Sequence, residues 1–434
     1  MARRRDVRVR PNQYRGSDGV EKPTQKHELD YSSSDRRLIA ILIFFFFIVV
    51  PSVSVLVYRI YTAPPTNRTK PFVPQRGLIK ADVNYQEILS EHSKLTENAS
   101  QRHYSYPVLA YITPWNSMGY DMAKRFTAKF THLSPVWYDL KSQGSSLVLE
   151  GRHNADKEWI SEIKMNGDAL VLPRVVLEAS PMNFLGKKKQ RDKAIELIVK
   201  ECKEMQYDGI VLESWSRWAA YGIFHDSDKR NMALNFVKQL GDALHSMSST
   251  RNKEQKLQLV YVIGPPHSKQ LQQHDFGPKD LHSLDDAVDG FSLMTYDFSN
   301  PHNPGPNAPL QWIRFTLQSL LGPPGKAAQS LARKIFLGIN FYGNDFILSG
   351  GSGGGPILGR DYISLLEKHK PTLQWEKNSG EHFFLYSDDN HINHAVFYPT
   401  LMSIYLRLEE AHSWGTGISI WEIGQGLDHF FDLL

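Results

Sequence analysis

The chain has 434 residues, of which 41% are hydrophobic and 22% are charged, a composition that is ordinary for a globular protein. The formal net charge is +4 and much of the basic excess lies near the N-terminus, so the composition gives no support to a nucleic-acid-binding domain. The only cysteine is Cys202, which excludes an intramolecular disulfide, and the length suffices for one large domain or two average ones.

Residues 1–37 form a basic tail that contains ten Lys and Arg residues, and Leu38 to Tyr58 is a run of 21 residues without a charge. A run of this length spans a bilayer core as a helix, so we predict a transmembrane signal anchor over 38–58. A cleaved signal peptide is the alternative, but its apolar region and its basic leader are normally shorter. Only five Lys and Arg residues follow in 59–80, which predicts a cytosolic tail and a type II single-pass topology.

Residues 59–103 are rich in proline at first and then polar, which is typical of a stem on the lumenal or extracellular side. Two glycosylation sequons lie here, at Asn67-Arg68-Thr69 and Asn98-Ala99-Ser100. We expect the following domain to face the lumen or the outside, with lysosomal delivery or secretion after processing as further expectations.

Apolar strand patterns alternate with helical patterns over residues 104–434. Most of the strands are continuous apolar runs, which is typical of a parallel sheet covered on both faces. Eight strands with intervening helices predict an α/β fold, a (β/α)8 TIM barrel. A doubly wound open sheet is the alternative, but its glycine-rich fingerprint is missing after the first strand. The predicted strands are Val108–Thr113, His132–Leu140, Ala169–Leu177, Gly209–Trp215, Leu257–Gly264, Gly290–Tyr296, Ile335–Tyr342 and Gly417–Glu422.

Residues 343–399 form a longer segment between the seventh and eighth strands, which we interpret as a small insertion. It contains a predicted hairpin, His382–Tyr386 and His394–Tyr398, around Asp388-Asp389-Asn390. The pair His391-x-x-His394 lies in this turn without a third ligand, so we predict a solvated loop and neither a metal nor another cofactor.

Aromatic and acidic residues occur where the predicted barrel strands end, which is where barrels of this type carry their sites. Flat rings stack on the C–H faces of sugars, and carboxylates accept hydrogen bonds from hydroxyl and amide groups. These residues therefore predict a carbohydrate cleft, the alternative being that some rings cap the barrel core. The predicted cleft residues are Trp115, Trp137, Glu213, Trp215, Tyr296, Asp297, Tyr342 and Trp421.

Three segments resemble the family-18 glycoside hydrolases, the chitinase fold. On strand four the family pattern is Asp-x-x-Asp-x-Asp-x-Glu, and here Asp208 matches the first position while Val211, Glu213 and Trp215 occupy the others. The segment from Met294 to Asp297 looks like the family's Met-x-Tyr-Asp on strand six. Ile418-Ser419-Ile420-Trp421 looks like its tryptophan motif on strand eight.

The resemblance implies that the terminal Glu of the pattern donates a proton while the N-acetyl group of the substrate attacks. Trp215 at that position cannot donate a proton, and loss of a general acid typically lowers a rate by about 10²–10⁴-fold. Glu213 would lie roughly 6–7 Å deeper in the barrel, two strand residues earlier. The resemblance therefore predicts no catalytic residues, with Val211, Glu213 and Trp215 as degenerate positions.

A closer similarity, over Arg76 to Leu434, is to chitinase-like lectins of this family. It is carried by 111–117, 304–310, 381–384 and 421–428. It implies a non-enzymatic lectin that binds oligosaccharides rich in N-acetylglucosamine. The alternatives are a weak glycosidase that uses Glu213 and a scaffold that binds a protein partner during sorting.

Overall fold

The computed structural model describes residues 44–51, 53–54, 77–94, 99–266, 275–323, 326–348 and 353–434. The chain divides into two compact units, Met1–Asn67 and Arg68–Leu434. The basic tail, most of the predicted span 38–58, and both Asn67 and Asn98 lie outside the described residues. Residues 44–51 are helical, and over the described ranges no helix has the length and apolarity to cross a bilayer.

The described part of the second unit contains fifteen strands. In chain order they are β1 Val108–Ile112, β2 His132–Gln143, β3 Ser146–Glu150, β4 Leu170–Val171, β5 Arg174–Leu177, β6 Gly209–Glu213, β7 Gln258–Ile263, β8 Gly290–Leu293, β9 Ile335–Asn340, β10 Gly343–Ile347, β11 Gly354–Ile357, β12 Gln374–Glu376, β13 Glu381–Ser387, β14 Asn393–Phe397 and β15 Gly417–Trp421.

Twelve α-helices accompany these strands in the described part of the second unit. They are α1 Tyr85–His92, α2 Ser117–Arg125, α3 Lys157–Asn166, α4 Pro181–Leu185, α5 Lys188–Met205, α6 Trp215–Ala220, α7 Ser227–His245, α8 Pro278–Leu284, α9 Leu310–Leu321, α10 Lys326–Ala332, α11 Gly359–His369 and α12 Leu401–Trp414.

Parallel strands close into a barrel in the order β1-β15-β9-β8-β7-β6-β5-β2, and pairing of β1 with β2 completes the circle. The short β4 also pairs with β2, so β4 and β5 together supply the third barrel position. The predicted (β/α)8 barrel is confirmed. The predicted third strand, Ala169–Leu177, is divided in two.

Side-chain alternation along the strands produces two cores. On β6, Ile210 and Leu212 point outwards into the layer shared with the helices, whereas Val211 points into the barrel. Leu109 and Val260 join Val211 in the barrel interior. Because both faces of each strand are covered, the strands are largely apolar, and this explains the continuous runs in the sequence.

The insertion between β9 and β15 is a five-stranded antiparallel sheet, ordered β11-β10-β14-β13-β12, with α11 between β11 and β12. The predicted hairpin is confirmed, because β13 pairs with β14 in antiparallel register around the turn at Asp388. The side of the barrel that receives this insertion is the one at which the site forms.

Part of the predicted stem is described, and it contains α1. Asn84 caps this helix in a capping box with Glu87, at 3.0 Å in each direction. Leu78, Val83 and Ile88 lie in the same hydrophobic cluster as the outer core of the barrel. This stretch is therefore packed onto the domain in the structure.

Candidate functional site

The floor of the barrel mouth is a buried layer of hydroxyl groups. Tyr111 on β1 donates to Ser292 on β8 at 2.8 Å, and Ser292 donates to Ser419 on β15 at 3.2 Å. Above this layer, the Trp421 ring packs on Tyr111 with centroids 5.2 Å apart. The indole is only partly covered, so Trp421 presents an aromatic surface at the mouth.

A charged pair lies beside Trp421. The Nε atom of Arg174 on β5 donates to Oε2 of Glu213 on β6 at 2.8 Å, and Nη2 of Arg174 donates to the same oxygen. Both side chains are mostly buried, with 15% and 13% of their surfaces exposed. The guanidinium also lies over the Trp421 ring, with its Cζ atom 5.4 Å from the centroid.

Tyr296, Asp297 and Tyr342 form a second group at the ends of β8 and β9. Tyr342 donates a hydrogen bond to Asp297 Oδ1, and the rings of Tyr296 and Tyr342 meet edge to face at 6.4 Å. Burial raises the pKa of the Tyr296 hydroxyl well above its ordinary value, so this group remains a hydrogen-bond donor at neutral pH. Burial also raises the pKa of the Asp297 carboxyl, and the Tyr342 hydrogen bond opposes that shift.

Asp297 has a φ of 60°, a conformation that is uncommon for a residue other than glycine. It is held there by Asn307, whose Oδ1 accepts from the Asp297 amide at 2.8 Å. The amides of Asn307 and Ala308 in turn donate to Glu381 at 2.9 and 2.7 Å, and Arg407 pairs with Glu381 at 2.8 Å. Two segments that carry the sequence resemblance, 304–310 and 381–384, thus act together to position Asp297.

Trp115 follows β1 and is 68% exposed. The next residue, Asn116, donates to Oε2 of the buried Glu422 at 2.8 Å. Glu422 follows Trp421 but lies on the opposite side of the strand, against α2, where a Cβ atom on Gly119 would be 2.2 Å from Oε1. The side chain of Glu422 is therefore part of the packing that positions the Trp115 loop and lies away from the mouth.

Trp137 does not reach the mouth, which corrects the sequence-based prediction. Strand β2 continues to Gln143, so Trp137 is not at its end, and Val136 is the neighbour that faces the barrel interior. Trp137 packs in the outer layer against Trp159 and donates to the Tyr120 hydroxyl at 2.7 Å. Its role is to join β2 to α2 and α3.

Trp215 also lies elsewhere than predicted. Strand β6 ends at Glu213, and α6 begins at Trp215, so the two-residue alternation of a strand no longer applies. The indole is 4% exposed and stacks on Phe224 with centroids 3.9 Å apart, and Arg230 lies over it at 5.0 Å. Trp215 is a core residue of the outer layer and does not line the cleft.

A second charged pair lies nearer to solvent. Arg217 on α6 binds Glu178 at the end of β5, and their side chains are 45% and 28% exposed. This outer pair links the same two barrel positions as Arg174 and Glu213. Because it is more exposed, this outer pair can be compared with the more buried Arg174–Glu213 pair, the inner pair.

Arg174 and Tyr111 are site residues that the sequence reasoning missed. The available signal for Arg174 was a single charge inside the apolar run from Leu170 to Leu177, which is unusual for a buried strand. Tyr111 appeared only within a segment of resemblance. Its burial at 2% exposure and its hydrogen bond to Ser292 identify it as the support of Trp421.

The described residues contain no group of three or more His, Cys, Asp or Glu side chains with a geometry suited to a metal ion. Near the predicted His391-x-x-His394 pair, His394 Nδ1 instead lies 2.8 Å from Asp345 Oδ1 within the insertion sheet. The mouth therefore offers aromatic faces, hydroxyl donors, one guanidinium and carboxylate acceptors. This combination suits recognition of a polyhydroxylated ligand.

Comparison with known proteins identifies relatives of this chain. The family model for glycosyl hydrolases family 18 matches residues 178–426. The cortical fragment-lytic enzyme of Bacillus subtilis (strain 168) is 24% identical over 195 residues, covering 44% of this chain and 42% of that enzyme. The uncharacterized glycosylase YvbX of the same organism is 26% identical over 200 residues, covering 45% and 54%. The chain thus spans about half the length of these relatives.

Solved structures show the same fold. A chitinase from Chromobacterium violaceum has a TM-score of 0.62 at 20% identity, covering 76% of this chain and 98% of that one. A family-18 chitinase from Cycas revoluta, solved in complex with (GlcNAc)4, has a TM-score of 0.60 at 14% identity, covering 75% and 97%.

Proposed function

Because this chain belongs to the glycosyl hydrolases of family 18, we propose that it binds oligosaccharides of N-acetylglucosamine at the barrel mouth and does not cleave them. In this proposal the protein is a chitinase-like lectin. Trp421 stacks on a sugar ring, Tyr296 donates a hydrogen bond to the ligand, and Trp115 contacts it at the rim.

The observation that carries the proposal is that the carboxylates at the mouth already accept hydrogen bonds from neighbouring side chains. Glu213 accepts two hydrogen bonds from Arg174 through Oε2, so that oxygen is already engaged by a guanidinium. Glu178 is paired with Arg217, and Asp297 accepts from Tyr342. A general acid must lie within hydrogen-bond reach of the leaving oxygen, and Trp215 in the outer core supplies no such group.

Binding is supported by the residues at the mouth that match the family motifs. Trp421 ends β15, and Tyr296 and Asp297 follow β8, two positions away at the same end of the barrel. The similar Cycas revoluta chitinase was solved with a tetramer of N-acetylglucosamine. The segments 111–117, 304–310, 381–384 and 421–428 also resemble chitinase domain-containing protein 1, a chitinase-like lectin. Several of these segments build or support the mouth.

Calorimetry with (GlcNAc)4 and a product assay on the same mixture test the proposal. We expect heat of binding and an unchanged tetramer. A folded protein that gives no heat at millimolar ligand would refute it. Release of shorter oligomers that disappears in Glu213→Gln would instead establish the alternative, a glycosidase.

For the topology we propose a membrane anchor at 38–58 with the barrel in the lumen or outside the cell. The uncharged run and the charge difference on its two sides support this proposal. Expression in a secretory system tests it, because Asn67→Gln and Asn98→Gln should each remove one N-glycan. A protein that carries no glycan, and whose barrel is degraded by protease added on the cytosolic side of the membrane, would contradict it.

A further inference from the structure

The backbone around Asp297 is held by a single residue of the segment 304–310. Asn307 accepts hydrogen bonds from two successive amides, with its Oδ1 2.8 Å from the Asp297 nitrogen and its carbonyl oxygen 2.8 Å from the Phe298 nitrogen. The φ of 60° at Asp297 lies in the left-handed region, which is unfavourable for a residue with a Cβ atom. Asn307 therefore opposes relaxation of Asp297 to a more common backbone conformation.

Asn307 is in turn fixed by the insertion. The amides of Asn307 and Ala308 donate to the two carboxylate oxygens of Glu381 on β13, at 2.9 and 2.7 Å. Further along the same segment, the Leu310 amide donates to the Ser379 carbonyl at 2.9 Å. Glu381 is only 6% exposed, so these hydrogen bonds form away from solvent. The insertion therefore holds this segment at three points.

Arg407 on α12 orients the Glu381 carboxylate. Its Nη2 donates to Glu381 Oε1 at 2.8 Å, and the two side chains are only 3% and 8% exposed. A guanidinium is a rigid planar fork of donors, so the position of Arg407 determines where its acceptors lie relative to α12. The guanidinium also donates to the backbone carbonyls of Ala308, Ser379, Gly380 and Ser403.

Asp297 is the end of this series of contacts that faces the mouth. Its Oδ1 accepts from Tyr342, whereas its Oδ2 accepts no hydrogen bond from another described residue, and Asp297 is exposed. An accessible carboxylate oxygen is a strong acceptor for the hydroxyl and amide groups of a sugar. Relaxation of the Asp297 backbone would turn this oxygen away from the mouth, so its direction depends on residues that do not reach a ligand.

We propose that Asn307, Glu381 and Arg407 are positioning residues for glycan binding, which act through Asp297 and do not contact the ligand. This role rests on the proposed function, because the ligand is the same. It assigns the insertion and α12 a part in the affinity of the mouth. It also predicts an effect on binding that is separable from the effect on stability.

A double-mutant cycle on the full chain tests whether Asn307 acts through Asp297, with calorimetry of (GlcNAc)4 binding as the measurement. Asn307→Ala removes the acceptor of the Asp297 amide and should weaken binding by roughly tenfold, the equivalent of one hydrogen bond. In the Asp297→Ala background the same change should alter the affinity by less than about twofold, because the group that it positions is gone. Asn307→Asp keeps the Oδ1 acceptor and should recover most of the affinity.

A second ion pair provides a matched control for stability. Arg230 on α7 donates through Nε to Asp280 Oδ1 at 3.0 Å, and Asp280 Oδ2 accepts from the Gly277 amide at 2.9 Å. An arginine and backbone amides thus share one carboxylate, as they do at Glu381. The control pair packs on Trp215 in the outer layer, away from the mouth.

Glu381→Gln and Asp280→Asn should both lower the free energy of unfolding, because each weakens a buried ion pair. Only Glu381→Gln should weaken (GlcNAc)4 binding, by roughly tenfold, and Arg407→Met should do the same. The affinities are compared at a temperature at which circular dichroism shows every variant to be folded. If Asn307→Ala does not fold, Glu381→Gln takes its place in the cycle with Asp297→Ala.

The outcomes separate the positioning role from the function on which it rests. If the wild type binds (GlcNAc)4 and Asn307→Ala has the same effect with and without Asp297, the positioning role is refuted while the lectin function stands. Equal losses of affinity in Glu381→Gln and Asp280→Asn would also refute it, because stability alone would then explain them. If the folded wild type does not bind, both are refuted. A loss that requires Asp297 and spares Asp280→Asn would establish the role.

Discussion

Glu422 provides the sharpest test of how tertiary packing sets the ionisation of a buried carboxyl. Its carboxyl is fully buried against α2, where Oε2 accepts from Asn116 and Oε1 has no hydrogen-bond partner among the described residues. Burial raises the pKa of Glu422 from 4.5 to about 7, and the hydrogen bond from Asn116 opposes that shift. The carboxyl is therefore mostly protonated in the folded protein at pH 6 and ionised in the unfolded chain.

The sign of the effect on stability follows from proton binding. Between pH 4.5 and about 7 the folded state holds a proton that the unfolded state has lost, so the free energy of unfolding falls as the pH rises. Above about pH 7 Glu422 is ionised in both states, and the decrease in the free energy of unfolding reaches its full value. A shift from 4.5 to about 7 corresponds to about 3 kcal/mol.

Glu422→Gln removes this pH dependence while keeping an oxygen that accepts from Asn116. We expect the variant to have a stability near that of the wild type at pH 5 and to be more stable by up to about 3 kcal/mol at pH 8. Urea unfolding at pH 5, 6, 7 and 8, followed by tryptophan fluorescence, measures both curves. Glu158→Gln, at an exposed position in α3, is the matched control and should give a curve parallel to the wild type.

Parallel stability curves for the wild type and Glu422→Gln between pH 5 and 8 would refute the reasoning. That result would mean that water or a rearranged loop solvates the carboxylate. A stability difference that instead grew toward low pH would show that the sign is wrong. A concurrent change in the exposure of Trp115, measured by quenching, would link the ionisation to the rim.

Three further predictions follow from the packing. Trp421→Ala should weaken (GlcNAc)4 binding by roughly tenfold or more, and by more than Trp115→Ala, in calorimetry, whereas Trp137→Phe should leave the affinity within a few-fold. Trp215→Ala should lower the free energy of unfolding by about 3–5 kcal/mol in urea titrations, whereas Trp215→Phe should keep most of the stability and all of the binding. Glu381→Ala should lower the free energy of unfolding by about 3–5 kcal/mol because it leaves the buried Arg407 without its carboxylate partner. Arg407→Ala should lower it by a similar amount.

Much of the fold was predictable because it depends on local patterns. Buried strands of a parallel barrel must be apolar on both faces, so each appears as a continuous run that is visible without knowing its neighbours. The hairpin around Asp388 was predictable for the same reason, since alternating strands flanked a turn sequence. The grouping of Tyr296, Asp297 and Trp421 followed from the rule that barrel strands end at one face.

The direction of individual side chains was less predictable. Trp137 and Trp215 were both expected at the mouth, and both lie in the outer layer, because β2 continues beyond Trp137 and β6 has already given way to a helix at Trp215. A shift of a few residues in where a strand ends moves a side chain from the cleft to the core. The sequence pattern does not locate such an end to within one residue.

The sequence by itself determined the barrel, the insertion with its hairpin and the edge at which a cleft is expected, because apolar periodicity and strand ends are properties of short segments. Only the tertiary structure decided that Glu213 is bound by Arg174, that Trp421 contacts both Arg174 and Tyr111, and that Glu422 is buried. Those partners come from strands far apart in the chain. Their charges and burial exist only once the barrel has closed.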